Sequence, residues 1–83
     1  MNLSDQVTKK ITSSIPDAKV EVIDFSSEHI GHHASGAHIA MTVVSKEFKN
    51  KTLVEQHQMI YKILEYELKE QIIHALRIRT KVE

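Results

Sequence analysis

The apolar residues of this chain switch between a helical and an extended period, and the order of those switches restricts the fold more than any other feature of the sequence. Leu3, Val7, Ile11 and Ile15 recur every four residues and predict the buried stripe of a first helix, with Gln6, Lys9, Lys10 and Ser13 on its other face. Pro16 marks its end, because proline disfavours helical geometry at the residue before it. From Ala18 to Phe25 the period falls to two, with Lys19 and Glu21 alternating against Val20 and Val22, the pattern of a half-buried strand. The stretch from Ser26 to Gly36 has no apolar period, contains both glycines and reads as a loop. Alternation returns from Ala37 to Ser45, where Ile39, Met41 and Val43 face one way and His38, Ala40, Thr42 and Val44 the other. This predicts a second strand, antiparallel to the first.

Lys46 to Lys51 is a polar turn pinned by Phe48. Thr52-Leu53-Val54-Glu55 then matches a capping box, in which hydroxyl and carboxylate satisfy the free amides of a helix start. Leu53, His57, Ile60, Tyr61, Leu64 and Leu68 continue at helical spacing, so a helix is expected from Leu53 to about Glu70, with a bend near Tyr66. Ile73 to Thr80 alternates again as a third strand, Leu76 and Ile78 inward and Arg77 and Arg79 outward. The order helix, strand, strand, helix, strand predicts an α+β domain: a three-stranded mixed sheet with helices packed on one face.

At 83 residues the chain has room for one domain, residues 1–83, with a thin margin of stability. Its 11 Lys+Arg balance 11 Asp+Glu, which argues against strong indiscriminate binding to nucleic acid. It has no cysteine, so no disulfide, no thiolate nucleophile and no iron–sulfur cluster held by its own thiols. No secretion-signal pattern and no apolar run of membrane-spanning length is present, so a cytoplasmic location without membrane attachment is expected.

Four of the six histidines, His29, His32, His33 and His38, crowd the first loop and its exit, and His74 opens the third strand. The second strand leaves the loop end of the sheet and the helix runs back toward it, so the third strand should start there, parallel to the second. His74 is therefore expected beside the histidine loop. Imidazole suits zinc, copper, nickel and iron, yet His29-x-x-His32-His33 matches no closed zinc pattern. From the residues alone, His29 with His74 can be a partial metal site or solvated side chains. For His32 and His33 the solvated reading is the simpler one.

His57 among apolar positions and the Tyr61 and Tyr66 pair read as helix packing. A Ser27–His29–Asp24 triad lacks an independently oriented base and oxyanion donors. No glycine-rich phosphate loop or paired carboxylates appear, so no enzymatic activity is expected. Lys46, Lys49 and Lys51, backed by Lys62, Arg77 and Arg79, precede a helix whose free amides favour anions, which makes them the candidate nucleic-acid contacts. A solvated turn interrupted by Glu47 is the simpler account of them.

Val43-Val44-Ser45-Lys46-Glu47-Phe48, then His57-Gln58-Met59-Ile60-Tyr61-Lys62-Ile63-Leu64, then His74-Ala75-Leu76, preceded by a histidine-rich loop ending in Ala37-His38-Ile39, closely resemble the BolA-like family over nearly the whole chain. The resemblance implies a small α-β-β-α-β fold of the class II KH-like kind. It also implies a non-enzymatic adaptor that binds a monothiol glutaredoxin and shares or transfers a [2Fe–2S] cluster in iron homeostasis. In some bacteria it implies, alternatively, a DNA-binding transcriptional regulator of stress response and cell morphology, with Lys46, Lys49 and Lys51 as the contacts.

By the same resemblance, the cluster ligands fall on His29, nine residues before His38, and on His74, with His32 as an alternative or supporting residue. Glutaredoxin and its bound glutathione would supply the remaining ligands, so the isolated protein is expected to carry no cofactor and to be a monomer or weak homodimer. Two departures stand out. Gln56 and Gln58 flank His57 where the family usually has arginines, and Asn50 stands where glycine is usual. Loss of the guanidiniums weakens the DNA reading more than the cluster reading.

Overall fold

Asn2 starts the first helix, its side-chain oxygen accepting the Asp5 N–H at 2.9 Å, and Asp5 places a carboxylate near the positive end of the helix dipole. The structure, a computed structural model, describes residues 2–25 and 36–83. Helix α1 runs Leu3–Ser14 and stops before Pro16, burying Val7 and Ile11 together with Ile15 just beyond its end. Strand β1 (Lys19–Asp24) pairs antiparallel with β2 (Ala37–Ser45), and β2 pairs parallel with β3 (Ile73–Val82). The sheet order is β1-β2-β3, so β2 is central and both other strands are edges.

The register makes the expected face assignment concrete. Val22, Met41 and Ile78 form one row across the sheet, and Val20, Val43 and Thr80 the next. Ile39, Met41 and Val43 are buried against Val7, Ile11, Phe48, Ile60 and Leu64, which lie on the helical side. The opposite face carries Ile23, Ala40 and Arg77 in one row, then Glu21, Thr42 and Arg79 in another, with no described helix over it.

After β2 the chain makes one 3₁₀ turn, Lys46–Phe48, which drives the Phe48 ring into the core. Asn50 follows with φ 64°, the left-handed geometry that an asparagine tolerates where glycine is more usual. Helix α2 (Leu53–Ile63) opens with the expected capping box: the Glu55 N–H donates to Thr52 Oγ1 and the Thr52 N–H to the Glu55 carboxylate. The helical segment expected to reach Glu70 is broken at Leu64, two residues before the anticipated bend, and resumes as α3 (Glu65–Lys69). No Pro or Gly marks the break. Leu64 is fully buried there, and Glu67 on α3 accepts from the Lys10 ammonium of α1 at 2.7 and 2.9 Å.

The buried stripe of α2 also differs from expectation. Leu53 is 61% and Tyr61 44% exposed, whereas Gln56, Ile60 and Leu64 are buried. Gln56 reads as polar in the sequence, but its amide donates to Lys51 O at 2.9 Å and Phe48 O at 3.4 Å, and its oxygen accepts the Thr80 hydroxyl. It thus satisfies the backbone of the turn from inside the fold, the condition for burying an amide side chain. Tyr66, expected to pack, is exposed, with the Lys10 ammonium 5.9 Å from its ring centre.

Asp17, in the turn between α1 and β1, ties that corner to the end of β2. Its carboxylate accepts the Ser45 hydroxyl at 2.6 Å and the Lys46 N–H at 2.8 Å, and those bonds, the hydroxyl first, hold its pKa below the ordinary carboxylate value. A carboxyl depressed in the folded state adds stability above its unfolded pKa and loses that contribution as pH falls through the folded value. Asp17→Asn is therefore expected to lower the urea midpoint at neutral pH and to flatten the loss of stability between about pH 5 and pH 3. An unchanged acid limb would show that these bonds do not act on folding.

Candidate functional site

Gly36 and His74 meet where the first hairpin closes on the start of β3. Gly36 has φ +90°, and a Cβ built on it would lie 2.4 Å from Gln71 O, 3.0 Å from His74 Cβ and 3.1 Å from His74 N. Glycine is required here for its backbone geometry and for the space. The Ala37 N–H then donates to Ile72 O at 2.9 Å, and on the other arm the Phe25 N–H donates to His38 O at 3.0 Å. Phe25 and Gly36, the residues that border segment 26–35, therefore both sit at the rim where β3 begins. His29, His32 and His33 belong to that segment and lie outside the described residues.

The β2–β3 pairing has an irregularity at this point. Ala37 pairs with Ile73 but His38 with Ala75, leaving His74 as the extra residue of a bulge. The bulge shifts the phase of β3, so that Ile73 on one side of it and Leu76 and Ile78 on the other all pack against the core. It also leaves His74 exposed. Re-aiming a side chain outward is what a bulge does at a sheet rim.

The His38 ring lies 5.4 Å from the His74 ring and 6.1 Å edge-on from Phe25, and its Nε2 is buried. The topological expectation that places His74 beside the loop exit therefore holds for His38 and Gly36. Among the described residues the rim offers one accessible imidazole, His74, backed by a packed one, His38. Among the described residues no group of three or more His, Cys, Asp or Glu side chains is placed to hold a metal ion. Any centre at this rim would draw its further ligands from segment 26–35 or from another molecule.

The basic candidates fall into two groups on opposite faces of the sheet. Lys46, Lys49 and Lys51 are exposed on the turn before α2, and Lys51 and Lys62 share a shallow groove with Glu55, Gln58 and Met59. Arg77 and Arg79, expected to back these lysines, lie instead on the uncovered face with Glu21, Ile23, Ala40 and Thr42. The turn also carries its own anions. Asp17 lies beside Lys46, and Glu55, held below its ordinary carboxylate pKa chiefly by the Thr52 N–H and then by the Thr52 hydroxyl and Lys51, occupies the start of α2. A phosphate there would compete with a built-in carboxylate.

His57 on α2 is half-buried, and among the described residues its buried Nε2 has no hydrogen-bond partner. The bulge at His74 and the fit of Gly36 were missed by the motif reading. Their trace in the sequence is the odd spacing from Ile73 to Leu76, which cannot keep both residues on one face of a regular strand.

Residues 11–83 match the family model described as BolA-like protein. The chain is 38% identical over 79 residues to "Protein BOLA2" of Arabidopsis thaliana, covering 95% of this chain and 76% of that one. It is 31% identical over 78 residues to "DNA-binding transcriptional regulator BolA" of Haemophilus influenzae, covering 94% and 75%. Among solved structures it is similar to the "BolA domain of SufE1 from Arabidopsis thaliana", with TM-score 0.83, 32% identity and coverage of 99% and 94%. Among the described residues no helix is long and apolar enough to cross a membrane.

Proposed function

This chain belongs to the BolA-like protein family, and we propose that it acts as a non-enzymatic adaptor that binds a monothiol glutaredoxin and shares or transfers a [2Fe–2S] cluster. In this reading His74 and His29 are the ligands this chain contributes to its cargo, with His32 as the alternative from the loop, and glutaredoxin with glutathione provides thiolates. The observation that carries the reading is His74 itself. It is a solvent-accessible imidazole pushed out by a bulge, at the rim where the histidine-bearing segment leaves and returns.

The chemistry of the donors fits the cargo. Iron–sulfur clusters accept mixed His and Cys ligation, and this chain, without cysteine, has imidazole to contribute. The test is to mix the protein with cluster-loaded monothiol glutaredoxin and record visible absorption and circular dichroism. A new spectrum, different from that of the glutaredoxin alone, is expected. A spectrum unchanged by the addition would reject the adaptor reading.

A second reading is favoured by the exposed Lys46, Lys49 and Lys51 turn and by the Haemophilus relative whose name describes a DNA-binding regulator. In it the chain contacts DNA phosphates through that turn. Its signature is an affinity that falls steeply as salt rises, and absence of any gel shift at low salt would remove it.

A further inference from the structure

Strand β3 is the longest strand, ten residues from Ile73 to Val82, and it is an edge. Its inner side is paired with β2 through to Ser45–Val82, and among the described residues no backbone hydrogen bond reaches its outer side. An edge of this length presents a row of unused N–H and C=O groups, which is a template for another strand. The side chains restrict what can lie there. On the uncovered face Arg77, Arg79 and Lys81 stand at every second position, all exposed. Among the described residues none of the three has an ion-pair partner, whereas Lys19 on the same face is paired with Glu83.

That row of cations argues against one occupant and for another. In an antiparallel pairing of two β3 strands, uncovered-face residues meet uncovered-face residues. Every register that overlaps the middle of the strand then sets two of these cations opposite each other, and like charges directly opposed are destabilising. Antiparallel pairing of two copies through β3 is thereby disfavoured. A strand with carboxylates at alternate positions meets the same row with opposite charge.

We propose that the outer edge of β3 accepts an extended acidic segment of a partner protein, added as a fourth strand with its Asp or Glu side chains against Arg77, Arg79 and Lys81. Main-chain hydrogen bonds supply the attachment and the alternating charges supply register and selectivity, the division of labour usual in strand addition. Because His74 is the second residue of β3, a segment bound along the strand runs directly up to the candidate ligand. The site does not depend on the cluster reading, since neither metal nor His74 takes part in the contact.

The probe is a fluorescein-labelled peptide, Val-Glu-Val-Glu-Val-Glu-Val, about as long as the central part of the strand. Its control is Pro-Glu-Pro-Glu-Pro-Glu-Pro, of equal charge but without an N–H at each proline and with φ held there at roughly −65°, away from extended strand geometry. Anisotropy at low salt is expected to show binding of the first, at least about tenfold weaker binding of the second, and a similar loss in Arg77→Glu/Arg79→Glu. Amide shifts on the folded wild-type protein are expected to concentrate on Leu76 to Val82. His74→Ala should bind the peptide as the wild type does, which separates this site from the cluster ligand. No binding of the alternating peptide, equal binding of the proline peptide, or shifts confined to the turn at Lys46 to Lys51 would overturn the proposal. The proline comparison uses only the wild-type chain and so decides the matter even if the charge-reversed variant fails to fold.

Discussion

Gly36→Ala is expected to destabilise the protein more than any other single methyl addition at the rim. Two costs add. The backbone at φ +90° is one that side chains with a Cβ avoid, worth about 1–2 kcal/mol. The new methyl would overlap Gln71 O at 2.4 Å, a backbone atom that cannot rotate away, worth about 1–3 kcal/mol. The sum, roughly 2–5 kcal/mol, is a large share of the total stability of a chain this size, which is about 4–12 kcal/mol. The cheapest relief is to pull Gly36 and the start of β2 off β3, breaking the Ala37 N–H to Ile72 O bond beside His74. Gly36→Ala should therefore lower the thermal midpoint and also abolish the spectral change with loaded glutaredoxin, although no ligand is altered.

Asn50→Ala supplies the comparison. It introduces alanine at φ 64° on an exposed turn away from the rim, so it should cost about 1 kcal/mol and leave the spectral change intact. If Gly36→Ala gave the wild-type midpoint, the close packing of Gly36 on β3 would be wrong.

The second large effect is expected from His74→Ala, and it has the opposite character. His74 is exposed and makes a ring contact with His38 but no hydrogen bond among the described residues, so removing it should change folding stability by no more than about 0.5 kcal/mol. Its effect on cluster sharing should be severe. Loss of residues that merely support a metal ligand costs about 10–100-fold in affinity, and loss of the ligand itself should exceed that. Under the proposed adaptor role the two variants separate scaffold from ligand: one is expected to lose stability and cluster sharing together, the other cluster sharing alone.

The fold was legible where side chains act through period. Val7, Ile11 and Ile15, the alternation of Ile39, Met41 and Val43, and the Thr52/Glu55 cap all do in the structure what their spacing predicts. The parallel β3 followed from the direction of a returning helix. Illegible features were those in which one residue serves a partner distant in the chain. Gln56 is buried because it meets the carbonyls of Phe48 and Lys51 and the hydroxyl of Thr80, and nothing in its neighbours announces that. Leu53 and Tyr61 look like core residues by hydropathy, yet the stripe through Gln56 takes the inward face.

The helix break at Leu64 has no proline or glycine to mark it, and the helix beyond it is tied through Glu67 to Lys10, distant in the chain. At the site, the proximity of His74 to the loop exit was readable from topology. The bulge that exposes it, and the glycine that fits beneath it, depend on atoms brought together only by folding.

The most direct test of the central claim is nitrogen hyperfine spectroscopy on the reduced cluster, formed from glutaredoxin and this protein labelled with ¹⁵N only in its histidines. Couplings from two imidazoles of this chain are expected in the wild type and from one in His74→Ala. Identical nitrogen couplings in the two samples, or none in either, would contradict the assignment of His74 as a ligand.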